Sequence, residues 1–572
     1  MERFKVKLIP NPKIIKKRDG LLKGKTLKLA DGITDDRLIK AMKKLPFSEC
    51  GTNIEVQIGN EDNEAYILEI EPEKILIKAE GVRGAFYAIQ TLRQLFCAEN
   101  VPCCYIEDEP DFKYRGFYHD ITRGKVPTVE TLKRLIDDMA YYKLNSLQLY
   151  VEHTFEFKEY ADSNDRTGYL TAEEIRELDS YCRMNFIEFI PSLASFGHLY
   201  ELLNKYRFKH LRELEDFKEK EVFWEDRMLH HTIDPTKEES FQVIKSLLDQ
   251  YMINFSSDKF NICCDETFDL KIGKHKDEDT GKLYIDFVTK IIEYLKSKGK
   301  KVMMWADILL NHKEQIEKLP GDVILLNWFY WENPNEETFK TISKSQRTQI
   351  VCPGTGSWNR FCENYDTEII NIPKMAELGY KYGATGVLNT NWGDWGNPCS
   401  IELAMFGLVL GAERSWNVTT QVNEDYHLKV NSLVYNNDNA CNYIKKLSAL
   451  SKCVSWYDLV KCYTGILEQK SIDVEFPEKE SLVKVVEDCF NIVADVENDE
   501  WKEDRFKNQI IISAKGIAVM AELLAEQAGY KVERKTSTKD WLKIYRKAWL
   551  KDNKESELCE IEKMFLTIDK NK

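Results

Sequence analysis

The sequence predicts an α/β protein built around a (β/α)₈ TIM barrel, with a small N-terminal α+β domain and a helical C-terminal domain. Short strand-type runs crowd the first part of the chain, eight apolar strand candidates then alternate with helical patterns, and helical patterns alone fill the remainder of the 572 residues. Eight such alternations favour a closed barrel over an open doubly wound sheet. We therefore expect domains at residues 1–110, 111–420 and 421–572.

The N-terminal region combines strands with one clear helix. RFKVKLI, NIEVQIG, AYILEI and KILIKAE are short β-type runs with partial alternation. From Val82 to about Phe96 the apolar residues share one helical face. This combination predicts a small α+β domain.

The central region supplies the barrel. Its helices are signalled by start motifs: one near Thr128, a capping box at Thr171–Glu174, and an N-cap followed by proline at Asp234-Pro235. The predicted strands are RGFYHDI, LNSLQLYV, NFIEFIPSL, FNICCDE, KVMMWADIL, DVILLNWFY, QIVCPGT and TGVLNTNW. Beyond them, apolar stripes in QIIISAKGIAVMAELLAEQ and WLKIYRKAWL predict helices that pack against the barrel.

Composition argues against several classes of partner. A net charge of −14 disfavours nucleic acid and anionic membranes, which call for a basic face. The N-terminus lacks the apolar run of a secretory signal, and no uncharged stretch approaches the roughly 20 residues of a membrane span. The 15 cysteines are scattered without a C-x-x-C pair, so we expect reduced thiols and a cytoplasmic location.

Catalytic groups of a (β/α)₈ barrel stand at the carboxyl ends of its strands. Carboxylates and tryptophans dominate those positions here, and sugars bind by stacking on aromatic rings and by hydrogen-bonding to carboxylates. The pattern therefore predicts a carbohydrate pocket, although core packing explains any single Trp. The strand-end residues are His119, Asp120, Glu152, His153, Ser195, His198, Asp265, Glu266, Trp305, Asp307, Trp328, Tyr330, Trp358, Trp392 and Asp394.

Asp265 and Glu266 are the strongest indication of a catalytic site among these residues. Two adjacent acids after the apolar run FNICC are costly if buried without partners. Such a pair can divide labour, with one carboxyl protonated and the other ionised. A solvated strand end with helix-capping acids explains the spacing equally well.

The histidines suggest a rival metal site. His119, His153 and His198 end separate strands and could join Asp265 in a metal-dependent hydrolase. The paired H-x-H ligand motif is absent, because Asp120 directly follows His119. We therefore expect no metal and no other cofactor.

Several segments, in order along residues 80–420, resemble glycoside hydrolase family 20, the β-N-acetylhexosaminidases. GVRGAFYAIQTLRQL is similar to the helix that closes the family's first domain, and YRGFYHDITRGK to the first barrel strand. FIEFIPSLASFGHL resembles the third-strand segment, FNICCDE the Gly-Gly-Asp-Glu signature, VMMWADIL the fifth-strand Trp and NWGDWG the eighth-strand Trp and acid. NWGDWG and the helical C-terminal region look like the bacterial cytosolic-type subgroup.

The resemblance implies a retaining mechanism in which the substrate's own 2-acetamido oxygen attacks the anomeric carbon. Asp265 would then orient the acetamido N–H, and Glu266 would protonate the leaving oxygen. Arg115 and Asp394 would hold the sugar's outer hydroxyls, and His198 would be a supporting contact. Trp305, Trp328 and Trp392 would pack against the acetamido group and the sugar face.

Three departures from the family pattern stand out. Cys263-Cys264 replaces the glycine pair, and Leu193-Ala194-Ser195 occupies the place of the Asp that supports the histidine. No Tyr aligns in CPGTGSWNRF to bind the acetamido oxygen, and Trp358 or Tyr330 are candidates to replace it.

The sequence thus predicts an exo-β-N-acetylhexosaminidase that releases terminal N-acetylglucosamine, with N-acetylgalactosamine as a second candidate sugar. Its partner is a small-molecule or oligosaccharide substrate rather than nucleic acid or a membrane, and a homodimer is compatible with the sequence. The alternatives are a metal-dependent barrel hydrolase and a catalytically inactive sugar-binding protein.

Overall fold

A computed structural model, which describes residues 6–29, 33–161, 168–215, 217–218, 220–229 and 231–571, confirms the predicted fold class. A mixed six-stranded sheet comes first, a closed barrel of eight parallel strands follows, and helices form the rest.

The N-terminal sheet has the strand order β1-β6-β4-β5-β3-β2. The helix α2 is buried around most of its circumference, because the sheet covers one side and the barrel the other. On the barrel side, Tyr87 of α2 lies 5.3 Å from the Arg115 guanidinium carbon. The elements are β1 (Ile14–Leu21), β2 (Leu27–Leu29), α1 (Asp36–Met42), β3 (Thr52–Ile58), β4 (Tyr66–Ile70), β5 (Lys74–Ala79), α2 (Val82–Leu95) and β6 (Pro102–Asp108).

The barrel closes where its last strand, β14, pairs with its first, β7. Its strands are covered on both faces, which explains why they read as apolar runs. The strands are β7 (Tyr114–Asp120), β8 (Ser146–Val151), β9 (Glu188–Leu193), β10 (Lys259–Asn261), β11 (Lys301–Trp305), β12 (Ile324–Trp328), β13 (Thr348–Cys352) and β14 (Gly386–Asn391). The helices between and after them are α3 (Val129–Tyr141), α4 (Ala172–Arg183), α5 (Tyr200–Leu203), α6 (Phe223–Arg227), α7 (Glu238–Met252), α8 (Thr280–Ser297), α9 (Asp307–Asn311), α10 (Glu336–Lys344), α11 (Tyr365–Lys381) and α12 (Met405–Trp416).

Two of the three predicted helix starts are confirmed. Thr128 caps α3, and Thr171 forms a capping box with Glu174 at the start of α4. The start predicted at Asp234-Pro235 is wrong, because α7 begins at Glu238. The Asp234 carboxylate instead accepts from the backbone N–H of Thr236 at 3.0 Å, which makes a local turn before the helix.

The C-terminal helices pack around α17. This is the one helix in the described part of the chain that is long and apolar enough to cross a membrane, and 78% of its apolar window is buried inside the protein. Its Ser513 hydroxyl donates to the Phe361 carbonyl of the barrel at 3.3 Å, as expected for a core helix. The helices are α13 (Glu424–Val430), α14 (Ala440–Cys453), α15 (Trp456–Glu468), α16 (Lys479–Asn498), α17 (Asp504–Gln527), α18 (Thr538–Asp552) and α19 (Leu558–Lys570).

Candidate active site

Asp265 and Glu266 lie together at the mouth of the barrel, after an unusual backbone turn. The strand β10 ends at Asn261, earlier than the run FNICCDE predicts. Cys263 and Cys264 then adopt left-handed backbone conformations with φ of 57° and 62°, and Glu266 follows with 49°. A non-glycine residue in this region costs about 1–2 kcal/mol. The turn breaks the strand's alternation, so both acids reach the same cavity.

The sulfur atoms of the cysteine pair are packed under this turn. Cys263 Sγ lies 3.4 Å from the Ser192 hydroxyl, and Cys264 Sγ lies 3.3 Å from the Ser195 hydroxyl. Both cysteines are buried. They fill the space beneath the acids, whereas glycines would leave it empty.

His198 joins the two carboxylates from beneath. Its Nε2 is 3.5 Å from Asp265 Oδ2 and 3.3 Å from Glu266 Oε2, and its side chain is 1% exposed. Burial lowers the pKa of His198, but the charge of Asp265 and the contacts with both acids outweigh it and raise the pKa to about 10. The imidazole thus faces both carboxylates through Nε2, while its Nδ1 lies 3.4 Å from the Arg123 guanidinium.

Asp307, at the start of α9, fixes the backbone of Glu266. Its Oδ2 accepts from the Glu266 backbone N–H at 3.0 Å. Burial, and then the charges of Asp265 and Glu266, raise the pKa of Asp307 to about 7. Asp307 is thus a third carboxyl behind the pair, and it is protonated more readily than an exposed aspartate.

The acids face a cavity of about 180 Å³ with aromatic walls. Drug-sized ligands usually occupy about 300–1,000 Å³, so this cavity suits one small ligand with the remainder outside. The cavity is lined by Arg123, Met228, Asp265, Glu266, Trp305, Trp328, Tyr330, Trp331, Trp358, Trp392 and Asp394. Of the residues that the family resemblance assigns to the site, or offers as replacements, all except Arg115 and His198 are in this lining. The other strand-end candidates, His119, Asp120, Glu152, His153, Ser195 and Asp307, are not.

The aromatic side chains form two connected walls. The Trp305 and Trp392 ring centroids are 6.0 Å apart on one side, and Trp328 and Tyr330 stack at 5.0 Å on the other. The indole N–H of Trp392 donates to the Tyr330 hydroxyl at 2.8 Å and ties the walls together. Trp358 lies 5.4 Å from Tyr330 at the rim.

The prediction that Arg115 lines the mouth is wrong. Arg115 is the second residue of β7, so it lies at the opposite end of the barrel, under the N-terminal sheet. It is fully buried and pairs with Glu64 at 2.6 Å, while its Nε donates to the Lys143 carbonyl at 3.0 Å.

Arg123, which follows the carboxyl end of β7, occupies the place assigned to Arg115. Its guanidinium lies 3.3 Å from Asp394 Oδ1, 3.5 Å from Glu152 Oε1 and 3.4 Å from His198 Nδ1. Burial raises the pKa of Asp394 to about 6 against the opposing charge of Arg123. The strand-end rule, applied to the residues after HDI rather than before them, points to Arg123.

The three histidines of the rival metal site do not come together. His119 points out of the barrel, where Asn391 Nδ2 lies 3.0 Å from its Nδ1. His153 lies beside Tyr160, and burial lowers its pKa to about 3. His198, Asp265 and Glu266 do place three ligand atoms close together. Neither His119 nor His153 is among them.

A second cluster of potential ligands, Glu213, Asp234 and His275, lies in the loops that follow β9 and β10. Its atoms already have partners, since His275 Nδ1 is 2.8 Å from Glu213 and Lys274 Nζ is 3.6 Å from Asp234. The lysine ammonium supplies a positive charge beside the cluster.

Comparison with known families fits this geometry. Residues 112–359 match the catalytic domain of glycosyl hydrolase family 20, and residues 5–109 match domain 2 of the same family. The chain belongs to glycosyl hydrolase family 20. The β-hexosaminidase of Porphyromonas gingivalis is 27% identical over an alignment of 283 residues, and the match covers 43% of this chain and 36% of that relative. The chain thus spans about a third of that relative's length.

Solved family 20 structures share the fold. The chitobiase of Flavobacterium johnsoniae aligns with a TM-score of 0.63 at 17% identity, over 98% of this chain and 99% of that one. The exo β-N-acetylglucosaminidase of Vibrio harveyi, solved with N-acetylglucosamine, aligns with a TM-score of 0.58 at 20% identity, over 74% of this chain and 75% of that one. At these identities the likeness shows a common architecture.

The departures from the family 20 pattern have distinct surroundings. In the segment that replaces the histidine-supporting Asp, Ser195 donates to the Ile262 carbonyl at 2.6 Å and helps to hold the cysteine turn. Arg123 lies beside the other nitrogen of His198. Tyr330, a candidate for the missing acetamido-binding Tyr, is in the cavity wall next to Trp392.

Proposed function

We propose that the protein is a retaining exo-β-N-acetylhexosaminidase that works by substrate-assisted catalysis. The observation that carries this proposal is the pair Asp265 and Glu266, joined by His198 at the floor of an aromatic cavity sized for one sugar ring. Family 20 membership and relatives named β-hexosaminidase support it.

The two acids have unequal surroundings that match unequal roles. The Asp265 side chain is 13% exposed and the Glu266 side chain 28%. The deeper Asp265 is suited to hold the acetamido N–H and to stabilise the positive charge of an oxazolinium-like intermediate. The more open Glu266, anchored by Asp307, is suited to protonate the leaving oxygen and then to activate water.

The opposite side of the cavity accounts for exo-specificity. Arg123 and Asp394 present a donor and an acceptor to the hydroxyls of the non-reducing end. Behind them, Glu152 is buried against Arg123. A further sugar beyond this end would have to displace the buried ion pair, so the cavity favours terminal residues.

The aromatic walls suit the acetamido methyl and the sugar face. Trp305 and Trp392 are almost fully buried and offer apolar surface next to Asp265. We propose that the Tyr330 hydroxyl, which accepts from Trp392, donates to the acetamido oxygen in place of the missing family Tyr. Trp328 and Trp358 complete the wall towards the leaving group.

We also propose a reducing, cytoplasmic location and membership of the bacterial cytosolic-type subgroup. The fifteen cysteines are all free thiols, and most are buried. We expect gluco substrates and test galacto substrates beside them.

Turnover of nitrophenyl β-N-acetylglucosaminide and β-N-acetylgalactosaminide by the wild type is the primary test. Glu266→Gln should lose activity on unactivated oligosaccharides by about 10²–10⁴-fold and far less on nitrophenyl glycosides, whose leaving group needs little protonation. Glu278→Gln, an exposed acid on the same loop, is the matched control. Equal losses on both substrates would remove Glu266 from the role of acid, and absence of turnover by the wild type would favour a sugar-binding protein.

The source of the nucleophile has its own test. A nitrophenyl glucoside without the 2-acetamido group should turn over negligibly, and a thiazoline mimic of the intermediate should inhibit much more strongly than N-acetylglucosamine. Trapping of a glycosyl ester on Asp265 or Glu266 would refute substrate assistance.

A further inference from the structure

A short connection between α18 and α19 reaches the barrel mouth from the C-terminal helices. Residues 552–557 run along the loop that follows β7, and the contacts are between backbones. The Thr128 N–H donates to the Asp552 carbonyl at 3.0 Å, and the Lys554 N–H donates to the Val126 carbonyl at 2.8 Å. The loop that begins with Arg123 is thus paired with the C-terminal region.

Glu557, at the end of this connection, holds a second loop. Its Oε2 accepts from the Trp224 indole N–H at 2.7 Å and from Arg227 Nη2 at 3.2 Å, and its Oε1 accepts from Arg227 Nη1. The three side chains are at most 2% exposed. A buried ion pair of this kind is costly to desolvate and strongly destabilising to break, because the remaining charge keeps no partner. Trp224 and Arg227 belong to α6, which ends beside Met228 of the cavity lining.

The loop that follows β14 is the third loop at the barrel mouth, and it packs against Trp224 as well. A Cβ on Gly396 would lie 2.9 Å from the Trp224 ring, and a Cβ on Gly124 would lie 2.3 Å from the Gly396 carbonyl oxygen. Three loops are thus stacked on one another without room for a methyl group. Each contributes a residue to the cavity a short distance away: Arg123, Met228 and Asp394.

We propose that Glu557 is a positioning residue for the sugar pocket, and that the C-terminal helices thereby complete the active site. The carboxylate fixes Trp224 and Arg227, Trp224 supports Gly396, and Gly396 supports Gly124. Arg123 and Asp394 are adjacent to this stack and hold the end of the sugar. Binding of a sugar in this pocket rests on the proposed function, whereas the ordering of the three loops by Glu557 does not.

Replacement of Glu557 separates a positioning role from a merely structural one. Glu557→Gln keeps the shape but removes the charge that matches Arg227. A misplacement of catalytic groups by about 1 Å can cost roughly 100-fold in rate. We therefore expect kcat/KM for nitrophenyl β-N-acetylglucosaminide to fall about 10- to 100-fold, mainly through a higher KM because the Arg123 end binds substrate. Glu557→Asp, which keeps the charge at a shorter reach, should lie between this variant and the wild type and protects the test if Glu557→Gln fails to fold.

The matched control is Glu560→Gln, one turn further along α19, where the acid is partly exposed and 3.9 Å from Lys563. It should leave kcat and KM unchanged. A lower melting temperature for the Glu557 variants, with unchanged kcat and KM in the folded protein, would overturn the proposal and make Glu557 a structural residue only.

Hydrogen–deuterium exchange distinguishes failure of this inference from failure of the proposed function. In Glu557→Gln, amides of residues 123–128 and 222–229 should exchange faster while those of the barrel strands do not change. That result needs no substrate and would stand even if the wild type turned over no N-acetylhexosaminide. Unchanged exchange in both segments would refute the positioning role directly.

Discussion

Exchanging the two arginines near β7 for glutamine gives the sharpest test of the pocket. In Arg123→Gln the guanidinium beside Asp394 and His198 is lost. A charge-assisted hydrogen bond contributes about 1.5–3 kcal/mol, and about 1.4 kcal/mol corresponds to a factor of ten. Loss of one such bond to the sugar should lower kcat/KM about 10- to 150-fold. Since Arg123 also lowers the pKa of Asp394, the acid limb of the pH profile should move to higher pH.

Arg115→Gln is the matched control, because it removes the same charge from the other end of the barrel. Its guanidinium contacts Glu64 and the Lys143 carbonyl. We expect a lower free energy of unfolding, since Glu64 loses its cationic partner, with KM unchanged in the folded enzyme. The assay is steady-state kinetics across pH on nitrophenyl β-N-acetylglucosaminide, with denaturant unfolding alongside. A raised KM in Arg115→Gln and wild-type kinetics in Arg123→Gln would refute the assignment.

Three further predictions follow from the surroundings of the acid pair. The pKa of His198 is about 10 instead of 6.5, so the stability that this group contributes is complete below pH 6.5 and is lost as the pH rises through 10. The free energy of unfolding, measured in urea, should therefore fall more steeply over this window in the wild type than in His198→Gln. Cys264→Gly should be at least as stable as Cys264→Ala, because both variants lose the sulfur but only alanine keeps a Cβ. A Cβ in this left-handed conformation costs about 1–2 kcal/mol. A more stable alanine variant would contradict the backbone strain. Activity should survive dialysis against EDTA, because His119 and His153 lie away from the acid pair and supply no further ligands. Loss of activity that zinc restores would instead make His198, Asp265 and Glu266 metal ligands.

The barrel was predictable because its strands are buried on both faces. Segments such as KVMMWADIL carry a continuous apolar run that ends in polar residues, so the pattern locates the strand and its mouth together. The same rule brought Asp265, Trp305 and Asp394 to one cavity. It was less accurate for FNICCDE, where the strand ends at Asn261 and Cys263 takes a left-handed conformation. Apolar patterning does not register such a backbone reversal.

Site details that depend on direction or on distant contacts were harder to predict. Arg115 lies near the start of β7 and Arg123 follows its end. The direction of this strand therefore decides which arginine is buried at the base of the barrel and which one is at the mouth. His153 follows β8 as expected but turns towards Tyr160, which is a matter of side-chain packing. The contact between Glu557 and Trp224 spans 333 residues, and no local pattern in either segment signals it.

The pairing of residues 552–557 with the first barrel loop has a consequence for synthesis of the chain. The Thr131 hydroxyl donates to the Asp552 carbonyl across 421 residues. At about 5–20 residues per second, the ribosome needs roughly 20–80 s to supply that partner after the loop itself has emerged. During this interval the barrel strands can pair, but the backbone groups of Thr128 and Val126 still await their partners. The contacts that order the first loop of the pocket can therefore form only once residue 552 has been translated, long after the acids that give the pocket its chemistry.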